Sequence, residues 1–155
     1  MNNNTKKVMF SSKNNEWGTP ANFFNKLDVV YGFTLDPCAT AQNTKCKNFY
    51  TVEDNGLEQS WEGETVFVNP PYSNVKEWVA KSHRESLKPN TTIVMLIPSR
   101  TDTRWWHKHC MTAHQILFVK GRLRFEGGEH SAPFPSAVIV FKSADTPARI
   151  NTLER

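Results

Sequence analysis

Asn69, Pro70, Pro71 and Tyr72 form a short polar and aromatic block at the end of the apolar run "VFV". A strand cannot continue through two successive prolines, which remove two backbone donors and fix two φ angles. The chain beyond Val68 is therefore stiff and shows its carbonyls without competing N–H groups. The Asn69 amide oxygen and the Pro70 carbonyl are two acceptors matched to the two hydrogens of a primary amine on an aromatic ring. Such an amine is a poor nucleophile because its lone pair is delocalised into the ring. Two acceptors favour a pyramidal nitrogen and turn the lone pair toward an electrophile. The Tyr72 ring can meanwhile stack on the flat face of a base. The plain alternative is a Pro-Pro surface turn with Asn as turn former; the position between an apolar strand and a capped helix favours the chemistry.

The elements around this block are legible from periodicity. Thr19-Pro20 starts an amphipathic helix carrying Phe23, Phe24, Leu27, Val30 and Tyr31 up to Gly32, with the Thr19 hydroxyl expected to cap it. Residues 33–35 read as a short strand, 48–52 and 66–68 as two more, and 91–97 as the clearest buried strand. Asn74 and Glu77 form a capping box for a helix with Val75, Trp78, Val79 and Leu87 that ends before Pro89. A helix with Trp105, Trp106, His109 and Cys110 follows, then strands at 115–119, 123–125 and 136–142. Strands alternating with helices predict an α/β fold with a mostly parallel sheet and an antiparallel C-terminal hairpin. In "FTLDPCA", "VFVNPPY" and "VMLIPSR" an apolar run ends in proline plus a polar group. Ligands of open α/β sheets bind at the carboxyl ends of strands, so these three ends are expected to line one crevice.

The block resembles the amine-methylating motif of S-adenosylmethionine-dependent amino-methyltransferases. With "EWGTP", "FTLDPCA", "EDNGLEQSW", "KGRLRF" and "APFPSAVIVF", the sequence resembles the phage and prophage DNA adenine-N6 methyltransferases often described as Dam-like, over most of residues 16–142. The resemblance implies a minimal Rossmann-like methyltransferase fold, S-adenosylmethionine as methyl donor without a metal, and double-stranded DNA as partner. It implies Asn69, Pro70, Pro71 and Tyr72 as catalytic. It carries the cofactor site to Asp36, Pro37, Cys38 and Ala39, where the family's following glycines are missing, to Asp54, Gly56 and Leu57, to Trp17, Thr19 and Pro20, and to Asn69 itself. Asn55-Gly56 is also a turn signal in its own right. Thirty-three positions separate Asp36 from Asn69, too few for two full βα units, so the fold is expected to be pared down. The rivals are methylation of an RNA base or a protein glutamine, and a noncatalytic DNA-binding module that retains the fold.

For DNA contact, Lys120, Arg122 and Arg124 alternate along a predicted strand and share a face, with Leu123 and Phe125 on the other; a solvated strand edge is the plain alternative. Arg100 follows the strand that ends at the crevice and is the better single phosphate ligand. The resemblance allows Phe125 to cradle the target base, against ordinary core packing. His107, Cys110 and His114 fall at i, i+3 and i+7 of a predicted helix, but no fourth ligand is evident and methyl transfer from a sulfonium needs no metal.

The 155 residues suit one domain, 16–143, between flexible tails at 1–15 and 144–155. At 38% hydrophobic and 22% charged the chain has the composition of a soluble globular protein. It has no membrane-length apolar run and no signal-peptide core, so it is expected in the cytoplasm, that of the host if phage-encoded, as a monomer or weak homodimer. Cys38, Cys46 and Cys110 cannot all pair and lack C-x-x-C spacing, which argues for reduced thiols. The net charge of +4 is modest, but the charged residues from 53 to 64 are all acidic, whereas those from 100 to 124 are basic apart from Asp102.

Overall fold

The computed structural model describes residues 18–128, 130–143 and 149–155. The elements are α1 (Ala21–Tyr31), β1 (Leu35–Asp36), β2 (Asn48–Phe49), β3 (Thr65–Val68), α2 (Val75–Ser86), β4 (Thr92–Pro98), α3 (Arg104–Lys108), β5 (Gln115–Lys120), β6 (Ser136–Lys142) and β7 (Arg149–Glu154). The strands form one sheet in the order β2-β1-β3-β4-β6-β5-β7. Pairings are parallel from β2 through β4 and between β5 and β7; β6 runs antiparallel to both its neighbours. The expected α/β class and mostly parallel sheet are therefore present. The short spacing between Asp36 and Asn69 holds one small strand, β2, on the far side of β1.

Period-two alternation divides the sheet side chains between two cores. Val68, Met95, Ile139 and Ile116 are successive partners across β3, β4, β6 and β5 and share one core with Val79, Trp78 and Trp106. Phe67, Val94, Leu96, Val138 and Val140 face the opposite core with Phe23, Phe24 and Leu27 of α1. Helices α2 and α3 thus cover one face; α1 and part of the 121–135 segment cover the other. The antiparallel direction of β6 has a positional result. The connection from β5 to β6 must cross the end of the sheet where β3 and β4 terminate, as Ser99 N–H donating to the Pro135 carbonyl at 2.9 Å shows.

Four sequence expectations are corrected. Residues 123–125 do not form a strand: Gly121 at φ 79° ends β5, and the next segment makes a single bridge, Gly18 with Glu126. Residues 149–154, expected in a flexible tail, form β7; "RINTLE" is mostly exposed, with only Leu153 half-buried, so its ladder with β5 rather than any apolar alternation makes it a strand. Asn74 stands at the N-cap of α2 but makes no side-chain cap bond; a 3₁₀ turn, Tyr72–Asn74, runs directly into the helix instead. Thr19 does not cap α1, whose N-cap position is Pro20, and its hydroxyl is used elsewhere. Among the described residues no helix is long and apolar enough to cross a membrane.

Candidate active site

Because β1, β3 and β4 are parallel neighbours, their carboxyl ends bring Asp36–Ala39, Asn69–Tyr72 and Pro98–Arg100 side by side. The Asn69 Nδ2 donates to Thr19 Oγ1 at 3.0 Å, which sets which way the amide faces. The Asn69 backbone carbonyl accepts from the Cys38 thiol at 3.4 Å, tying the β3 loop to the β1 loop. Tyr72 is half-buried, its ring in edge-to-face contact with Phe134 at 5.1 Å and Phe125 at 6.4 Å. Burial pushes its phenol well above the usual range.

Beside Asn69 lies an open cavity of about 270 Å³, near the small end of ligand sites, which span about 300–1,000 Å³. Of the residues predicted for a cofactor, Thr19, Asp36, Pro37, Cys38, Ala39, Gly56, Leu57 and Asn69 all line it, together with Gly18. Asp36 is buried, and desolvation pushes its carboxyl up to about 7, against the Cys38 N–H and the Lys45 charge, which pull it down. Its Oδ1 accepts from Cys38 N at 3.2 Å, closing the turn that bends the chain away from β1. A buried carboxyl of this kind is receptive to a cationic ligand, whose charge would favour the ionised form.

Gly56 has a steric reason independent of any turn preference. A Cβ placed there would lie 2.0 Å from the Pro37 carbonyl oxygen, so the two cavity loops touch backbone to backbone. The Gly56 carbonyl accepts from the buried Trp61 Nε1 at 3.0 Å, which fixes the contact. Gly56→Ala is therefore expected to force the loops apart, lowering stability by about 1–3 kcal/mol as overpacking does, read by thermal melts; an unchanged melting temperature would refute the contact's role.

Other predicted residues fall outside this cavity. Asp54 is exposed, and its carboxylate accepts from the Thr51 N–H at 2.8 Å and the Thr51 hydroxyl at 3.1 Å, pinning the loop whose Asn55, Gly56 and Leu57 form the wall. Pro20 opens α1 on the side of a separate groove, and Trp17 lies outside the described residues. Thr40, Asn43, Lys45, Asn74 and Trp78 line the cavity without having been foreseen. For Thr40 and Asn43 a signal existed: T-x-x-N allows the reciprocal bonds observed, Thr40 N–H to Asn43 Oδ1 at 2.7 Å and Asn43 N–H to Thr40 Oγ1 at 3.1 Å.

The basic residues gather at the same end of the sheet. Arg100 is exposed beyond β4, and Lys120, at the end of β5, pairs with Glu154 at 3.4 Å across two exposed side chains. Arg122 and Arg124 line a groove of about 410 Å³ with Arg155, which β7 delivers there. Their outward alternation with buried Leu123 and Phe125 survives although the strand does not. Phe125 is 1% exposed, packed in the core and in edge-to-face contact with the Tyr72 ring. Among the described residues no group of three or more His, Cys, Asp or Glu could hold a metal. The proposed helical face of His107, Cys110 and His114 is interrupted, since α3 stops at Lys108.

Comparison with known proteins bears on this arrangement directly. The family described as DNA N-6-adenine-methyltransferase (Dam) matches residues 5–152. Haemophilus phage HP1 (strain HP1c1) has a relative named DNA N-6-adenine-methyltransferase, 36% identical over 129 residues that cover 81% of this chain and 72% of the relative. A protein of Escherichia coli (strain K12) named putative methyltransferase YfdM is 38% identical over 64 residues, 37% of this chain and 70% of that protein. With a family match spanning nearly its whole length, the chain belongs to the DNA N-6-adenine-methyltransferase (Dam) family.

Proposed function

We propose that this protein transfers a methyl group from S-adenosylmethionine to the exocyclic amine of an adenine swung out of double-stranded DNA. The observation that carries the reading is the Asn69 amide, oriented by Thr19 at the rim of a cavity that also holds the buried Asp36 carboxyl. The family membership and the printed name of the phage relative support adenine in DNA as the substrate. The donor set fits: Asp36 faces a cationic ligand, Leu57, Phe67 and Trp78 offer apolar contact, and the Gly56–Pro37 contact allows close backbone approach. When bound, S-adenosylmethionine supplies an electrophilic methyl carbon on a sulfonium, which leaves as a neutral thioether with the bonding electron pair.

The chain's own contribution is geometric and electrostatic. Asn69 Oδ1 and the Pro70 carbonyl accept the two amine hydrogens, hold the nitrogen pyramidal and direct its lone pair at the methyl carbon; the surplus proton passes to water. Tyr72 covers the face of the extruded base. No covalent enzyme intermediate is needed.

The test uses purified protein, labelled S-adenosylmethionine and unmodified duplex DNA of varied sequence, with RNA and a glutamine peptide in parallel. N6-methyladenine should appear in the digested duplex. Donor binding by calorimetry with no methyladenine, or label confined to RNA or peptide, would overturn the reading.

A further inference from the structure

A second cavity of about 210 Å³ opens on the other side of the catalytic loop. It shares Asn74 with the donor cavity but, unlike that cavity, is not lined by Asn69, the residue assigned to the reacting amine. Its walls are Tyr72 and the start of α2 on one side and Pro98, Arg100 and Trp105 on the other. An occupant of this cavity would lie against Tyr72, the ring assigned above to the reacting base.

Two side chains give the cavity its chemistry. Trp105 is half-buried, packed on the core beneath and exposed to the cavity, while the adjacent Trp106 is 2% exposed and wholly spent on packing. Arg100 is exposed and makes no ion pair among the described residues. The other charges lining the cavity are Lys76 and Glu77, which offset each other and leave the site cationic through Arg100. The segment presenting both groups is rigid. Thr103 N–H and its hydroxyl both donate to the Arg100 carbonyl, at 3.2 and 2.8 Å, and the Thr103 hydroxyl accepts from Trp106 N–H at 3.3 Å as the cap of α3. His107 Nε2 lies 2.8 Å from the Thr101 carbonyl, bracing the turn from the far side. A flat aromatic face beside an unpaired guanidinium, carried on one braced segment, matches a stacked base with its phosphate.

We infer that this cavity seats the nucleotide adjoining the target adenine, with its base on the Trp105 ring and its phosphate on Arg100. The inference rests on the methyltransferase reading and makes Trp105 a positioning residue for the DNA strand. Stacking of this kind strengthens binding by roughly five- to a hundredfold per base, so Trp105→Ala should raise the KM for duplex DNA about tenfold or more while the Kd for S-adenosylmethionine stays unchanged. Trp105→Phe should recover most of the loss. Arg100→Ala should weaken DNA binding and lower the slope of log K against log salt by roughly 0.9, the loss of one phosphate contact.

DNA binding is also measured by fluorescence anisotropy with labelled duplex, independently of methyl transfer, and circular dichroism establishes that each variant is folded. Should the wild type bind DNA in a Trp105-dependent manner yet methylate nothing, the activity assigned above falls and the site stands. Should the wild type methylate DNA while folded Trp105→Ala and Arg100→Ala keep KM and affinity within twofold, the nucleotide site is refuted and the activity stands. Equal loss of donor binding in Trp105→Ala would also refute it, since that would mark a structural role.

Discussion

Asn69→Ala is expected to lower kcat by at least about 10²–10³-fold, the range seen when one preorganised electrostatic partner of a transition state is removed, with the Kd for S-adenosylmethionine shifted only a few-fold. The substitution removes the amide oxygen while leaving the Pro70 carbonyl and most of the donor cavity in place. Thr19→Val probes the same geometry from behind. It deletes the acceptor that holds Nδ2 at 3.0 Å, and loss of one such bond, about 1 kcal/mol, should lower kcat several-fold without abolishing it. Single-turnover methylation and donor titration of the two variants check the pair. Retention of near wild-type kcat in Asn69→Ala would remove the amide from the chemistry.

The largest stability effect is expected at Glu85, on the buried side of α2. Its carboxylate, 3% exposed, accepts from Lys81 Nζ at 2.8 Å, Lys88 Nζ at 2.9 Å and the Trp61 N–H at 2.9 Å. Burial opposes ionisation, but the hydrogen bonds from Lys81, Lys88 and the Trp61 N–H outweigh it and hold the carboxyl down at about 2. Glu85→Ala would leave the Lys81 ammonium, 7% exposed, without its counter-charge, a change that costs about 3–5 kcal/mol in buried pairs. Urea unfolding measures it. The sign with pH follows from the depressed value. The stabilisation is complete above the ordinary carboxyl pKa of 4.5 and is lost as pH falls from there toward about 2. Asp36 runs oppositely: raised to about 7 from 3.8, it contributes fully below 3.8, and its contribution is lost as pH rises through 7. The difference between wild type and Glu85→Ala isolates the first effect, and it should shrink between pH 4.5 and pH 2. A difference that is flat with pH would mean that the carboxylate is not the stabilising species.

The parts of this fold that could be read from sequence were those in which burial writes a period. Val66, Val68, Ile93, Met95 and Ile97 face one core and Phe67, Val94 and Leu96 the other, so β3 and β4 show as continuous apolar runs ending at their prolines. The cavity between the ends of β1 and β3 followed from those endings, but the expected single crevice did not, since Pro98 and Arg100 at the end of β4 line the separate cavity beside Tyr72. β7 was hidden because its side chains are mostly in water and only its backbone is satisfied by β5. Thr19 shows a different failure, in which two uses of one hydroxyl compete. Thr-Pro is a sound helix start on local grounds, yet the bond it makes is to a residue fifty positions away, and no local rule ranks a distant partner above a near one. Lys45 was missed for the same reason: its pairing with Glu126 at 3.2 Å depends on the bridge that joins Gly18 to Glu126. Arg122 and Arg124 were placed correctly on the outside for an incorrect reason, since their alternation belongs to an irregular segment anchored by Leu123 and Phe125.

Tyr72 stands with its ring braced edge-on by Phe134 and Phe125 before any base arrives. Immobilising a mobile side chain during association costs about 0.5–1.5 kcal/mol, and here folding has already met that cost. Under the proposed function, an extruded adenine would spend its stacking energy on staying out of the duplex instead of on ordering the surface that receives it. Selectivity for a planar ring would then be built into the folded chain, with no induced fit required at this wall.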